Sequence, residues 1–207
     1  MEFFDVVRNR GSTRKYDPER EVPREFISKL IETAIYAPSA GNLQNWVFIC
    51  LTDKSKKQEL RDACLKQDWM QDAHLWIVIC NDKERVTKLY PGRGELYSIQ
   101  NCAVASENIM LAAEDLGLGS CWVGAFDTVA FRRVLKIPDN IEPELVITVG
   151  YPLEKRAKEI RDSSEYVVYF NEYGTKFVTE GIFPLSRQVE KVQEQVKKGF
   201  FKRLFEK

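Results

Sequence analysis

Residues 117–124 join a long predicted helix to a short predicted strand, and they run Gly117-Leu118-Gly119-Ser120-Cys121-Trp122-Val123-Gly124. The alanine-rich residues from about Tyr97 to Leu116 predict the helix, which Gly117 ends as a left-handed cap. This order of helix, glycines and strand is the reverse of the Gly-x-Gly-x-x-Gly fingerprint, which follows a strand and opens a helix. The sequence therefore excludes a nicotinamide dinucleotide bound in the Rossmann manner. The glycines can instead bring backbone N–H groups close to a flat ligand.

Helices and strands alternate on both sides of this segment. The predicted strands are Trp46 to Leu51, Leu75 to Cys80, Ser120 to Val123 and Glu144 to Gly150. The other predicted helices are one opened by Pro23, one from Ser55 to about Leu65 and one capped by Asp127 that ends at Leu135. This alternation predicts an α+β fold with α/β-type layers, in which helices cover a mixed central β-sheet.

The composition of the chain excludes several classes of protein. Its 207 residues are 44% hydrophobic, and 31 basic residues balance 31 acidic ones, so no overall field attracts nucleic acid or an anionic membrane. The longest apolar runs are six residues, against the ~20 that a membrane-spanning helix needs. Residues 1–5 show no secretory or transit signal, so we expect a cytoplasmic protein that binds a small molecule.

The cysteines and the histidine argue against a metal centre. The five cysteines stand 14 or more positions apart, with no Cys-x-x-Cys pair, and His74 is the only histidine. His74 opens the apolar run from Leu75, which favours a structural role at the start of a strand over a catalytic one. We therefore expect no metal site and no side chain that acts as a catalytic nucleophile.

The strongest local charge lies in the segment Arg8–Lys15, which we call the basic segment. It holds four cations and no acid in eight residues. Guanidinium groups bind phosphate oxygens in bidentate fashion, hydroxyl groups add donors, and a glycine allows close backbone approach. The segment could hold a phosphate group, but such a run taken alone is more often a solvated turn.

A second cluster of polar residues precedes the first predicted strand, from Pro38 to Trp46. It combines small residues with the amides Asn42, Gln44 and Asn45. Amides offer both donors and acceptors, which suits the hydroxyls of a sugar-like chain or the imide edge of a flavin ring. The alternative is a helix end followed by an ordinary turn.

The two clusters and the 117–124 segment, in this order and spacing, resemble the nitroreductase family of flavin mononucleotide (FMN) enzymes. The resemblance spans about residues 3 to 171. The motifs that carry it are Arg10-Gly11-Ser12-Thr13-Arg14, the pattern Pro-Ser-x-x-Asn-x-Gln-x-Trp from Pro38, Gly117 to Gly124 after the alanine-rich helix, Val149-Gly150-Tyr151-Pro152, and Arg161 to Asn171.

The resemblance implies a set of cofactor-binding residues. Arg10, Ser12 and Arg14 would hold the phosphate and part of the ribityl and ring region, with Arg161 joining them, and Arg14 would tune the flavin near its N1–O2 edge. The amide cluster would contact the flavin partly from the opposite subunit, and Trp122 to Gly124 would lie beneath the ring. The full set is Arg10, Gly11, Ser12, Thr13, Arg14, Ser39, Asn42, Gln44, Trp122, Val123, Gly124 and Arg161.

The resemblance also implies an activity and an assembly. Members form homodimers with two FMN molecules at the interface, take hydride from NADH or NADPH, and reduce nitroaromatics, quinones or flavins by a ping-pong mechanism. Alternatives within the same fold are a specialised reaction, such as dehalogenation or remodelling of a flavin or ligand, and a non-catalytic flavin-binding dimer. The cofactor would carry the redox chemistry, so no catalytic side chain is required.

Three features depart from the family or extend it. Asn45 stands where the family usually has proline, which leaves that loop with less backbone restraint. Glu159 stands where a second phosphate cation is usual, with Lys158 beside it as a substitute. We expect a domain over residues 1–171 and an extension over 172–207, whose basic amphipathic helix from Arg187 packs on the dimer partner or, alternatively, binds a membrane surface or a peptide-binding groove.

Overall fold

A computed structural model describes residues 1–154, 160–162 and 164–175. The chain divides into two compact units, Met1–Lys158 and Glu159–Lys207. The first unit contains six helices and four strands in its described residues. The helices are α1 (Phe3–Asn9), α2 (Arg24–Ile35), α3 (Lys54–Glu59), α4 (Lys83–Thr87), α5 (Gly94–Asp115) and α6 (Thr128–Leu135). The strands are β1 (Trp46–Leu51), β2 (Leu75–Asn81), β3 (Gly119–Val123) and β4 (Glu142–Gly150).

The four strands form one sheet in the order β1-β2-β4-β3. Every neighbouring pair is antiparallel. We expected a mixed sheet, and in the described residues a parallel pairing occurs only as an isolated bridge between Ser12 and Ser120. The expected layers are confirmed, but the alternation of helix and strand along a sequence does not set strand direction, which depends on how each connection crosses the sheet.

Strand β2 lies at the centre of the core. All seven of its residues are buried, and successive side chains point to opposite faces. Leu75, Ile77 and Ile79 pack with α2 and α5 on one face, whereas Trp76 and Val78 pack with α6 on the other. The result is a sheet covered by helices on both faces, which is the predicted α+β class.

The helix boundaries follow local signals, with one exception. Gly117 has φ +73°, as its predicted cap requires, and α5 ends two residues before it. The helix expected from Ser55 to Leu65 is wrong in its second half, because α3 ends at Glu59 and a short 3₁₀ turn follows over Asp62–Cys64. Leu65 and Lys66 then adopt positive φ, which no α-helix can include.

The second unit is described only in part. Its described residues contain the short helix α7 (Ser164–Val167) and a turn in which the Tyr169 and Tyr173 rings pack 4.6 Å apart. The amphipathic helix expected from Arg187 lies outside the described residues, and the domain boundary at residue 171 stays a prediction. Among the helices that are described, none has the length and apolar character that crossing a membrane requires.

Candidate functional site

The basic segment lies along the end of strand β3. After α1 the chain extends, and the Thr13 backbone N–H donates to the Ser120 carbonyl over 2.8 Å. Ser12 forms the parallel bridge to Ser120, and Tyr16 forms an antiparallel bridge to Pro152. These contacts bring the cations at positions 10 and 14 beside the glycine-containing strand, although more than a hundred residues separate them along the chain.

The close approach of the two segments depends on Gly119. A Cβ atom at Gly119 would lie 2.5 Å from Thr13 Oγ1, a distance that real Cβ atoms do not show. Thr13 is 3% exposed, and its hydroxyl makes no hydrogen bond within the described part of the chain. Thr13 therefore packs into the space left by Gly119, and its role in binding the cofactor stays a prediction.

Arg14 is exposed, and an aromatic side chain lies beneath it. Its guanidinium lies 6.0 Å from the centre of the Trp69 ring. Trp69 in turn stacks on Tyr16 at 6.4 Å, and the Tyr16 hydroxyl is 2.9 Å from Thr148 Oγ1 on β4. The sequence analysis did not place Trp69 in the site, although a tryptophan within the mostly polar stretch of residues 66–72 is a signal that could have suggested it.

Arg10 connects the basic segment to helix α5. Its Nε lies 3.6 Å from Glu107 Oε1, and this nitrogen is buried without a hydrogen bond to any described residue. An ion pair of this length leaves donor capacity on the guanidinium, which carries five N–H groups. Arg10 can therefore still donate to an anion beside the basic segment.

The residues predicted to contact the flavin from the amide cluster meet in one tight loop over residues 39–44. The Gln44 backbone N–H donates to Ser39 Oγ over 3.2 Å, and Gln44 Nε2 donates to Asn42 Oδ1 over 3.2 Å. Asn42 and Gln44 both adopt positive φ, at 55° and 47°. Their exposed side chains place amide donors and acceptors together on the surface.

Asn45, which replaces the family's usual proline, is fully buried. Its Nδ2 donates to Asn81 Oδ1 over 2.7 Å, and its Oδ1 accepts from Asn101 Nδ2 over 2.6 Å. We expected this substitution to reduce the restraint on the loop. The structure shows side-chain hydrogen bonds that replace the restraint of the missing ring.

The β3 residues of the predicted site differ in what they expose. Trp122 is 40% exposed, Gly124 is exposed, and Val123 is buried in the core beneath α6. Val123 can therefore offer only its main chain to a ligand. Arg161 belongs to the second unit, where it is exposed, and Lys158 and Glu159 lie outside the described residues.

The buried titratable groups of the core are held in uncharged forms or in structural roles. Burial raises the pKa of the Cys64, Cys80 and Cys102 thiols to about 12, so none of them is a thiolate at neutral pH. Burial also lowers the pKa of His74, whose Nδ1 accepts a hydrogen bond from the Val22 N–H over 3.1 Å. This contact with a backbone group agrees with the structural role predicted for His74. The described residues contain no group of three side chains placed to hold a metal ion.

Comparisons with known proteins reveal a matching family and similar folds. The model of the nitroreductase family matches residues 7–67 and 63–151. A protein of Methanothermobacter thermautotrophicus with the provisional name NADH dehydrogenase/NAD(P)H nitroreductase is 35% identical over 158 residues, which cover 74% of this chain and 79% of that protein. The FMN reductase (NADPH) of Bacillus subtilis is 26% identical over 184 residues, which cover 82% of this chain and 74% of that protein. A solved FMN-dependent nitroreductase from Clostridium difficile is 30% identical, with a TM-score of 0.70, and the match covers 81% of this chain and 98% of that chain.

Proposed function

Because the chain belongs to the nitroreductase family, we propose that it is an FMN-dependent oxidoreductase that takes hydride from NADH or NADPH and reduces small aromatic acceptors. Nitroaromatics, quinones and free flavins are the acceptor classes we expect. The names of the relatives support the choice of cofactor and donor, since one is an FMN reductase that uses NADPH and a solved one is an FMN-dependent nitroreductase.

The observation that carries the proposal is the pairing of the basic segment with strand β3 through the Thr13 N–H and the Ser120 carbonyl. It places Arg10, Ser12 and Arg14 beside the first residues of β3, and Gly124, which follows the last residue of the strand, is exposed. Cations, a hydroxyl and a bare backbone edge are what a phosphorylated, planar cofactor needs.

The donor set of the site fits FMN. Arg10 Nε is a buried donor without a hydrogen bond in the described residues, and the Arg14 guanidinium is exposed and oriented by Trp69. Arg10 and Ser12 would hold the phosphate, and the amide groups of the residue 39–44 loop would hydrogen-bond the ring. Arg161 would supply a further cation to the phosphate.

When bound, FMN would supply the redox chemistry, because its ring can take up hydride from a nicotinamide and give two electrons to an acceptor. The chain's own residues provide binding, orientation and electrostatics. The cation at Arg14 would stabilise negative charge on a ring edge bound beside it, which would raise the reduction potential of the flavin. Exposed Trp122 offers an aromatic face beside the site.

We propose a homodimer as the working assembly. Large apolar side chains are exposed on α5 and on the two helices that contact it: Phe3 and Phe4 on α1, Ile35 on α2 with Tyr36 just after it, and Leu96, Ile99 and Val104 on α5. Contiguous apolar surface on a monomer marks an interaction site, and self-association through one such surface gives a two-fold dimer. The residue 39–44 loop follows α2, so a dimer through these helices would bring its amides toward the partner's site.

The visible spectrum of the freshly purified protein tests the proposal. We expect flavin absorption, release of FMN on heating, and bleaching of the bound flavin on anaerobic addition of NADH or NADPH. Initial-rate kinetics with a quinone should give the parallel double-reciprocal lines of a ping-pong mechanism. A colourless protein that does not bind added FMN would refute the proposal, and a bound flavin that neither nicotinamide bleaches would refute its use of NAD(P)H.

A further inference from the structure

We propose that three buried asparagines, Asn101, Asn45 and Asn81, hold the residue 39–44 loop in its flavin-binding conformation, and that the Glu144 carboxylate sets the direction of their hydrogen bonds. We call the three asparagines the amide row. The inference rests on the proposed function for the identity of the ligand. It assigns these residues as positioning residues, since they act through the loop.

The amide row is continuous from the loop backbone to the carboxylate. The Ala40 N–H donates to Asn101 Oδ1 over 2.9 Å, and Asn101 Nδ2 donates to Asn45 Oδ1 over 2.6 Å. Asn45 Nδ2 donates to Asn81 Oδ1 over 2.7 Å, and Asn81 Nδ2 donates to Glu144 Oε1 over 2.7 Å. Four consecutive hydrogen bonds therefore connect the loop to strand β4.

All four hydrogen bonds point the same way, toward Glu144. An ionised carboxylate can only accept, so it fixes the orientation of the Asn81 amide, and each amide then fixes the next. Turning any one amide over would place two oxygens or two NH₂ groups against each other. Hydrogen bonds aligned in this way polarise one another and are stronger together than separately.

The amide row is buried, and Ser98 binds the remaining N–H groups of two of its members. Asn45 and Asn81 are at most 1% exposed, and Asn101 is 4% exposed. Asn45 Nδ2 also donates to the Ser98 carbonyl over 3.1 Å, and Asn81 Nδ2 donates to Ser98 Oγ over 3.0 Å. A buried polar network is costly when it is only partly satisfied, so loss of one member should release the rest.

The loop needs such a restraint because its backbone is strained. Three of its residues, Gly41, Asn42 and Gln44, have φ between 47° and 58°, and two of them carry side chains. Residues held in this region persist only where surrounding contacts fix them. The Ala40 hydrogen bond to Asn101 lies immediately before the strained residues and supplies that contact.

Hydrogen exchange on the full chain freed of flavin tests the amide row directly. In Asn101→Ala the Ala40 N–H should exchange about tenfold faster than in the wild type, measured against a core amide such as that of Ile77. Asn101→Asp keeps an acceptor for Ala40 and should give an intermediate rate. Unchanged Ala40 exchange in folded Asn101→Ala would overturn the proposal.

Matched variants separate the amide row from general destabilisation. Asn108 lies on the same helix and donates to the Thr33 carbonyl, so Asn108→Ala should leave Ala40 exchange unchanged. Glu144→Gln keeps shape and removes charge, and it should speed Ala40 exchange roughly threefold, whereas Glu142→Gln on the same strand should not. If Asn101→Ala does not fold, these two glutamate variants test the proposal in its place. Equal exchange rates of the Ala40 N–H in the two variants would overturn the role of Glu144.

An FMN titration distinguishes this inference from the proposed function. Wild-type protein that binds FMN, with Asn101→Ala binding it about tenfold more weakly and Asn108→Ala unchanged, supports both. Equal FMN affinity in all three overturns the amide row alone. A third outcome is a protein that never binds FMN but in which Asn101→Ala still speeds exchange of the Ala40 N–H. It would support the amide row as a loop restraint, and it would refute both the proposed function and the role of the row in flavin binding.

Discussion

Arg14 shows how a single cation acquires a fixed direction from its neighbours. The sequence indicates a positive charge in a polar segment, and it does not indicate where that charge points. Trp69 lies beneath the guanidinium, and Tyr16 supports Trp69 from the sheet side. An arginine stacked on an aromatic ring loses less conformational freedom when it binds an anion, which favours a role in binding over one as a solvated turn.

Replacing Arg14 and Ser12 together by alanine should remove FMN from a folded protein. Hydrogen bonds to charged groups contribute ~1.5–3 kcal/mol each, so loss of two should raise the FMN Kd at least about 100-fold. The measurement is a titration of flavin fluorescence, with circular dichroism to confirm folding. Lys15→Ala is the control, since Lys15 pairs with Glu154 3.0 Å away and should leave the Kd unchanged. Undiminished flavin retention in the double variant would contradict the site.

Lys57 is a charged residue that the sequence places on a polar helix and the structure buries. It is 2% exposed, and its ammonium donates to the Ala73 and His74 carbonyls over 2.8 and 3.2 Å. Burial lowers the pKa of Lys57 to about 8, with a smaller contribution from the positive charge of Lys54. The folded protein therefore releases this proton at a lower pH than the unfolded chain.

This pKa difference predicts a stability that rises with pH. Below about pH 8 Lys57 is charged in both states, and between about pH 8 and its ordinary pKa of 10.5 only the unfolded chain keeps the proton, so the free energy of unfolding should increase by at most about 3 kcal/mol. Urea denaturation at several pH values measures it. Lys57→Met should remove this increase relative to the wild type, whereas Lys56→Met on the same helix should keep it. Parallel pH profiles for the wild type and Lys57→Met would contradict the assignment.

At the scale of elements, strand β3 can pair with the basic segment because residue 119 is a glycine. Thr13 occupies the space next to Gly119, and the Thr13 N–H pairs with Ser120. From the sequence we expected the glycines of residues 117–124 to let a flat ligand approach the backbone closely. At Gly119 the approaching group is the chain's own basic segment.

Gly119→Ala should therefore separate the basic segment from strand β3. Forcing a methyl group into this packed contact should cost about 1–3 kcal/mol of unfolding free energy and weaken FMN binding with it. Thermal denaturation and flavin titration measure the two effects. Gly124→Ala is the stability control, because its Cβ would meet its nearest neighbour at 3.5 Å, an ordinary contact. Thr13→Ala in the Gly119→Ala background should restore part of the loss, and a failure to do so would exclude this clash as the cause.

At the scale of the whole molecule, the exposed apolar side chains of α1, α2 and α5 bear on assembly. Ile99 on α5 is 48% exposed, and Tyr36 after α2 is 85% exposed. Val129 on α6 is also exposed, but α6 packs on the other face of the sheet. The two faces therefore offer a matched comparison for the proposed dimer.

Ile99→Glu should convert the protein from a dimer to a monomer. Sedimentation should give twice 24.0 kDa for the wild type and 24.0 kDa for Ile99→Glu, because a charge buried in an apolar interface without a partner is costly. The same variant should lose FMN if the loop of one subunit completes the site of the other. Val129→Glu should remain dimeric and keep its flavin. A dimer that survives Ile99→Glu would place the interface elsewhere.

The sequence by itself determined the class of fold and the family. Hydrophobic periodicity placed all four strands and the helices α2, α5 and α6, since these patterns are local and each element buries its own apolar face. The ordered motifs indicated the family, because the phosphate and the flavin ring each require particular side chains. Short stretches of sequence can show those side chains directly. The position of His74 at the start of a strand predicted a structural role, and its Nδ1 accepts a hydrogen bond from the Val22 N–H.

Tertiary structure alone decided how these parts meet. The antiparallel direction of the strands, the packing of Thr13 on Gly119, the stacking of Trp69 under Arg14 and the amide row through Asn101 all join residues far apart in sequence. No local propensity encodes such pairings, because each depends on the geometry of several elements at once. Asn45 shows the limit most clearly, since local sequence suggested a weakened loop and the folded chain restrains it with partners 36 and 56 residues away.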